Sequence, residues 1–319
     1  MKRLISMVPR LLLPAVLALL TGCATVPDMT PYRDATLQLR SAVVAGGNAV
    51  QSGLESAAAS YEKGDAMAAK IREEADKFNV EWRARIEGAD ALLTFTEAIT
   101  DIARSGPEGA ASARSLADAL TGLATGVGIV LPPAGTVATV TDVAAFVYGH
   151  IAVVRAAKSL DQALQSAQPA VDRVATVLSQ DLQASLDIIH AARRLQATAL
   201  ALKYNEETAY LKALAKERKD IYGKETLTPA DEQRLRQIGE MFDATREWRE
   251  PMETAQAEMD ANYRLRVQLI NATQAAVAEW AAAYRSIAAA VREKRTVNVE
   301  ALVQATLEAK ELVRRLRAL

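Results

Sequence analysis

The sequence predicts an all-α fold, an elongated antiparallel bundle of long helices with coiled-coil-like packing, and three observations predict it. Half of the residues are hydrophobic but only 5% are aromatic, so the apolar content is mainly Ala, Leu and Val, and Ala and Leu head the helix-propensity scale. Apolar residues recur three and four apart over long stretches, the period of a helix face rather than the alternation of a strand. From Met252 onward that recurrence settles into a seven-residue lattice, the signature of slightly supercoiled helices. A chain of 319 residues has the length of about two domains, but an elongated bundle uses such a length as one unit, and residues 32–319 read as a single helical-bundle domain.

The chain opens with Lys2, Arg3 and Arg10, followed by Leu11 to Leu20 with Pro14 inside. A basic start before an apolar run too short to span a bilayer is the pattern of an export signal. The run ends in Leu20, Thr21, Gly22 and Cys23, and Cys23 is the only cysteine. These four residues resemble the lipobox of bacterial lipoproteins, a resemblance that covers about the first 24 residues and no more. It implies removal of residues 1–22 and acylation of Cys23 on its thiol and its new amino group. Lipoproteins of this kind carry several acyl chains, enough for a lasting anchor where one chain gives marginal binding. In Gram-negative members an Asp directly after the cysteine retains the protein at the inner membrane. Ala24 stands there instead, so the resemblance implies the outer membrane, with the body facing the periplasm.

Once Cys23 is acylated no thiol remains to form a disulfide. Loss of residues 1–22 removes three cations and no acid, which takes the formal charge from −1 to −4. That balance is too mild to imply a nucleic-acid partner.

Residues 23–31, with Pro27 and Pro31, form a short lipidated tether. A first helix is expected over 34–62, with Leu37, Val44 and Leu54 among small residues and a soft spot at Gly46-Gly47. A second, over 65–104, carries Ile71, Phe78, Trp82, Leu92, Phe95 and Ile99 as one stripe. It ends at the breaker Ser105-Gly106-Pro107. Between Asp118 and Asp142 no residue is charged. Pro132-Pro133 would break a single span there, so 108–164 reads as a central apolar Gly/Ala-rich hairpin with arms over 108–130 and 136–164. Helical arms fit the spacing of Val137, Val140, Val143 and Val147, with a short β-hairpin as the alternative.

The return arm is expected to continue through Pro169 into a helix over 170–222, whose stripe includes Val171, Val174, Leu178, Leu182, Leu186 and Ile189. Thr228-Pro229-Ala230-Asp231 is a strong helix start, and that helix should stop or bend before Pro251. Residues 203–250 hold ten basic and eleven acidic side chains, the pattern of a solvated helical hairpin with a partner-binding tip at Tyr222-Gly223-Lys224 as the functional alternative. In the lattice beyond, Met252, Met259, Trp280 and Ile287 share one line, and Tyr263, Ile270, Val277, Tyr284 and Val291 another. Arg266 and Thr273 are the off-pattern members of the first line. Asn298 should cap a final helix bearing Leu302, Ala309, Leu312 and Leu316.

The chemistry-bearing motifs are sparse. The chain has no Gly-x-Ser-x-Gly, no phosphate loop and no His-Glu-x-x-His. Asp187 and His190 would share a helix face, but a metal bundle needs further ligands from other helices. His150 and His190 are the only histidines, and no metal or cofactor is expected. Asp142, beside the uncharged stretch, would need a partner if buried, with Arg155 and Arg114 as candidates.

The functional expectation is therefore a non-catalytic binding or assembly component of the cell envelope, held to the membrane by Cys23 and meeting a protein partner or a second copy through its helices. The alternative assigns membrane insertion, or binding of an apolar ligand such as a lipid, to residues 110–155. Gly122, Gly126, Val127, Ile129, Val137, Val140 and Asp142 are the candidate contacts. Long helices flanking a Gly-rich apolar hairpin are similar in layout to α-helical pore-forming toxins, although a lipid anchor does not suit a freely diffusing toxin.

Overall fold

A computed structural model describes residues 28–105, 110–127 and 142–318. Among the described residues there are nine helices and no strand. They are α1 (Thr30–Ala59), α2 (Ala66–Ser105), α3 (Ala110–Gly126), α4 (Asp142–Ala156), α5 (Leu160–Lys203), α6 (Asn205–Tyr222), α7 (Pro229–Ala244), α8 (Arg246–Glu293) and α9 (Glu300–Leu316).

The body is an elongated bundle in which α1 and α5 run one way and α2 and α8 the other. At one end the Tyr284 hydroxyl on α8 donates to the Leu164 carbonyl near the start of α5. At the other the Tyr61 hydroxyl, just past α1, donates to the Leu195 carbonyl. At 1.5 Å per residue, α1 is about 45 Å long and α8 about 72 Å.

Helix α1 packs on α2, α5, α8 and α9. Its composition permits this: Ala35, Ala42, Ala45, Gly46, Gly47, Ala49, Gly53, Ala57 and Ala58 are all buried. Trp82 of α2 lies directly on Gly47, where a Cβ would sit 2.0 Å from its indole nitrogen, and Ile270 of α8 lies on Gly46. The soft spot of the sequence is thus the closest approach in the bundle core. The apolar face of α1 differs from the expected one, since Leu37 is 49% exposed while Tyr32, Leu39, Val43 and Val50 are buried. Small residues, which a hydrophobicity pattern weighs lightly, decide which side faces the neighbours.

One core cluster joins Phe95, Trp280 and Tyr284 near the start of α1 to Leu178, Leu182 and Leu186 further along. Within it the Trp280 indole donates to Thr96 Oγ1 at 3.3 Å, and Thr36 meets the same hydroxyl. Burial raises the pKa of both Tyr32 and Tyr284, so these phenols stay neutral in the core. The expected stripes of α2 and α5 all face this cluster.

Helix α3 packs on α2, α4 and α5, and α4 on α3 and α5, with Leu116, Leu120, Leu123, Val147 and Val154 fully buried. The return arm ends earlier than expected. α4 stops at Ala156, and α5 begins afresh at Leu160, with Asp161 in its first turn. α5 then passes through Pro169. A proline leaves the carbonyl four residues earlier, that of Gln165, without its helical donor. The flanking carbonyls of Leu164 and Ser166 are engaged by Tyr284 and by His150 Nδ1 from other helices.

The expected helix over 170–222 is likewise two. It breaks at Tyr204, and α6 restarts at Asn205 with Glu206 and Glu207 in its first turn, where acids suit the helix dipole. Pro251, expected to stop a helix, instead lies inside α8. It stands one and a half turns from the N-terminus, so it deprives only the exposed Glu247 carbonyl of a donor. The interruption falls at Thr245, whose hydroxyl donates to the Phe242 carbonyl at 2.7 Å.

Helices α6 and α7 pack on each other around Leu214, Ile221 and Ile238. Arg234 donates to both oxygens of Glu217 across the pair, at 2.7 and 2.9 Å. Thr228 and Asp231 form a reciprocal capping box at the start of α7, and Lys224 pairs with the same Asp231. Lys224, then Thr228, pulls the Asp231 carboxyl down to about 2.

Gly47→Ala should destabilise the protein by about 1–3 kcal/mol in urea unfolding, because its Cβ would lie 2.0 Å from the Trp82 indole nitrogen and force the packed ring to shift. Gly122→Ala, with nothing within 4 Å of its would-be Cβ, should leave the midpoint unchanged or raise stability by up to ~1 kcal/mol. Equal effects would contradict the packing.

Asp231 has a lower pKa folded than its ordinary value of 3.8. Its stabilisation is therefore complete above that value and lost as pH falls through about 2. Asp231→Asn should speed amide exchange over residues 228–232 at neutral pH, and the difference from the native chain should close as pH approaches that lower value. Equal protection at neutral pH would show that the box does not hold α7.

Candidate functional site

Among the described residues only two charged side chains are less than a tenth exposed, Asp231 at 9% and Arg266 at 8%. Asp231 faces Lys224. Arg266 faces no carboxylate: its one hydrogen bond runs from Nη2 to Ser52 Oγ at 3.1 Å, and its buried Nε has no partner. Burial lowers the pKa of this guanidinium. Taking a charge out of water without a counter-ion costs several kcal/mol, so this position asks for a reason.

The helical lattice puts Arg266 there. It stands seven residues before Thr273 and fourteen before Trp280, both fully buried, and the same line carries it into the seam between α1, α5 and α8. There Gly53 faces it, and a Cβ on Gly53 would be in ordinary contact with Arg266 Nη1 at 3.7 Å. Gln196 on α5, also buried, donates to the Gly53 carbonyl.

Clefts open on both sides of the guanidinium, sharing Ser56, Asn262 and Arg266 as their common wall. The cleft toward α9 measures about 400 Å³. Arg317 adds a second cation to it, Ser41, Asn48 and Ser52 add neutral polar groups, and Val44, Val313 and Leu316 form an apolar side, with no carboxylate in the lining. The cleft toward α5 measures about 330 Å³, with Lys203 and Glu258 on its rim. Both fall within the size range of small-ligand sites. A larger hollow of about 560 Å³ between α8 and α9 is bordered by Glu279 and Glu300, and no buried unsatisfied side chain lines it.

The cleft hydroxyls are not set up as nucleophiles. Ser56 donates to the Ser52 carbonyl at 2.6 Å, Ser41 to the Leu37 carbonyl at 3.1 Å, and Ser52 accepts from Arg266. What the arrangement can do is hold an anion.

The residues singled out in the sequence are dispersed. Leu20, Thr21, Gly22 and Cys23 lie outside the described residues, as do Ile129, Val137 and Val140. Asp142 opens α4, but its side chain also lies outside the described part, and Arg155 pairs with Asp118 at 2.7 Å. Gly126 is a close-contact position, its would-be Cβ 2.4 Å from that of Ala91 on α2, whereas Gly122 is exposed. The two glycines therefore do not act as one helix-contact step. Val127 is half-buried against the core.

His190 Nδ1 meets the Tyr263 hydroxyl at 2.9 Å, while Asp187 points to solvent. No group of three or more potential metal-binding side chains occurs among the described residues. Tyr222 at the α6–α7 turn is exposed beneath the Arg218 guanidinium. No described helix is long and apolar enough to cross a membrane.

Arg266 was visible in the sequence only as a break in a lattice. A cation on a core-facing line was the signal, and the absence of any acid opposite it appears only once α1 and α5 are in place.

Arg266→Met, which keeps the length and removes the charge, should raise stability by about 1–3 kcal/mol in urea unfolding. A loss of similar size would mean that the charge is compensated where it stands.

No known protein family, curated protein or solved structure matches this chain.

Proposed function

We propose that this protein is a lipid-anchored, non-catalytic binding component of the bacterial cell envelope, tethered through acylated Cys23 at the periplasmic face of the outer membrane. It presents the Arg266 clefts and the charged α6–α7 hairpin to its partners. The observation that carries the reading is the direction of α1. It starts at Thr30, within the expected tether of residues 23–31, so that Pro31 lies in its first turn, and it reaches the cleft residue Ser52 roughly 33 Å further along its axis. An anchor at Cys23 would join the bundle at the start of α1, with the uncompensated cation towards the other end, as suits a protein that holds a binding surface away from a membrane. The residues around Tyr204, where α5 gives way to α6, lie beyond the clefts on the same side.

The reading of α3 and α4 as packed elements is supported by the full burial of Leu116, Leu120, Leu123 and Val147. The exposed side chains of Phe146 and Val153 on α4 favour a second reading, in which this helix touches lipid or an apolar ligand.

Metabolic labelling with a palmitate analogue tests the anchor. The native chain should be labelled and sediment with membranes, and Cys23→Ala should be unlabelled and released. Equal labelling of the two would overturn the reading.

A further inference from the structure

We infer that the cleft between α1, α8 and α9 is a binding site for an amphipathic oxyanion, a phosphate-type head carried on an apolar group, with Arg266 as its principal counter-ion. The assignment rests on the reading of the clefts as binding sites and names the chemistry of the ligand.

The argument begins with what Arg266 lacks. A guanidinium offers five N–H donors, and Arg266 places one of its hydrogen bonds on Ser52 while no acid on α1, α5, α8 or α9 pairs with it among the described residues. Elsewhere the same bundle pairs its half-buried arginines: Arg193 with Asp260 at 2.5 Å and Arg85 with Asp181 at 3.2 Å. Arg266 is more buried than either, and it lines two open clefts without an acid to pair with. A site that keeps a cation desolvated and unpaired binds an anion more strongly than an exposed cation does, because part of the desolvation is already complete.

The walls then select the ligand. Arg317 supplies a second guanidinium at the mouth, and Ser52 and Asn48 offer neutral donors. Planar, forked guanidinium donors match the oxygens of a phosphate or carboxylate. A divalent cation is disfavoured, since the lining holds two arginines and no carboxylate. Beside them Val44, Val313 and Leu316 add apolar surface to the same lining, which a free inorganic anion would leave in contact with water. An anion with a short apolar chain covers both halves of the cleft.

The test is titration calorimetry on the purified full-length chain in phosphate-free dodecyl maltoside micelles, with hexyl phosphate, inorganic phosphate and hexanol as separate probes. Hexyl phosphate should bind, and inorganic phosphate and hexanol should each bind about tenfold more weakly or worse. Arg266→Met should weaken hexyl phosphate by about 10- to 100-fold, the range of a lost charge-assisted hydrogen bond. Arg317→Gln should weaken it less, and the remote exposed variant Lys77→Gln not at all. Melting temperature measured on each variant separates loss of binding from loss of fold.

Unchanged hexyl phosphate affinity in Arg266→Met overturns the assignment, as does hexanol binding as tightly as hexyl phosphate. Inorganic phosphate binding as tightly as hexyl phosphate overturns its apolar half. The titration does not depend on acylation. A chain that is labelled at Cys23 yet takes up no probe overturns the ligand and leaves the anchor standing, while the reverse result overturns the anchor alone.

Discussion

The bundle depends on how closely other helices can approach α1. Ridge-and-groove packing of ordinary side chains keeps helix axes about 8–10 Å apart, and a helix with a thin surface lets its neighbours come closer. The run of alanines and glycines along α1 provides this, with Trp82 resting on Gly47 and Ile270 on Gly46. The large residues that fill the core are therefore contributed mostly by the neighbours, by Phe95 and Trp82 from α2, Leu178 and Leu182 from α5, and Trp280 and Tyr284 from α8. Glycine weakens a helix in isolation. Here that cost is offset by the dispersion contacts of a buried indole.

The same thin surface faces Arg266, the one buried cation without an acid among the described residues. Gly53 lies on the face of α1 toward Arg266, Gln196 engages its carbonyl, and Ser52 supplies the guanidinium's single acceptor. Packing and chemistry are linked at this point. A bulkier residue at position 53 would close the space that the guanidinium occupies, and a hydrophobe at 266 would continue the lattice of Thr273, Trp280 and Ile287 without interruption. The chain departs from its own best packing at a place where two clefts meet, and such departures are characteristic of functional positions.

Charge elsewhere is arranged conventionally. Cross-helix pairs such as Arg285 with Asp172 and Arg193 with Asp260 border the α5–α8 seam, and Arg33 with Glu97 borders that of α1 and α2. Each is partly exposed and so contributes little individually. The α6–α7 hairpin has only a small apolar cluster, and its geometry relies more on the capping box and on the forked Arg234–Glu217 contact.

Much of the architecture was legible in the sequence. The stripes of α2 and α5, the lattice of α8 and the start of α7 at Thr228 follow from side-chain periodicity and local capping, which act over a few residues and leave a pattern in the chain. The breaks at Ala157 and Tyr204 and the continuity of α8 through Pro251 did not. Whether a helix bends or stops is settled by which neighbour is present to satisfy its carbonyls and cover its apolar face. The outward turn of Leu37 and the role of Gly46 and Gly47 were hidden for the same reason, since small residues carry no hydrophobic signal of their own and acquire meaning from what rests on them. Sequence alone determined the helical class and, by resemblance, an expected lipid anchor at Cys23. Only the tertiary structure decided that Arg266 lacks a counter-charge, because compensation of a buried charge depends on side chains brought to it from helices far apart in the chain.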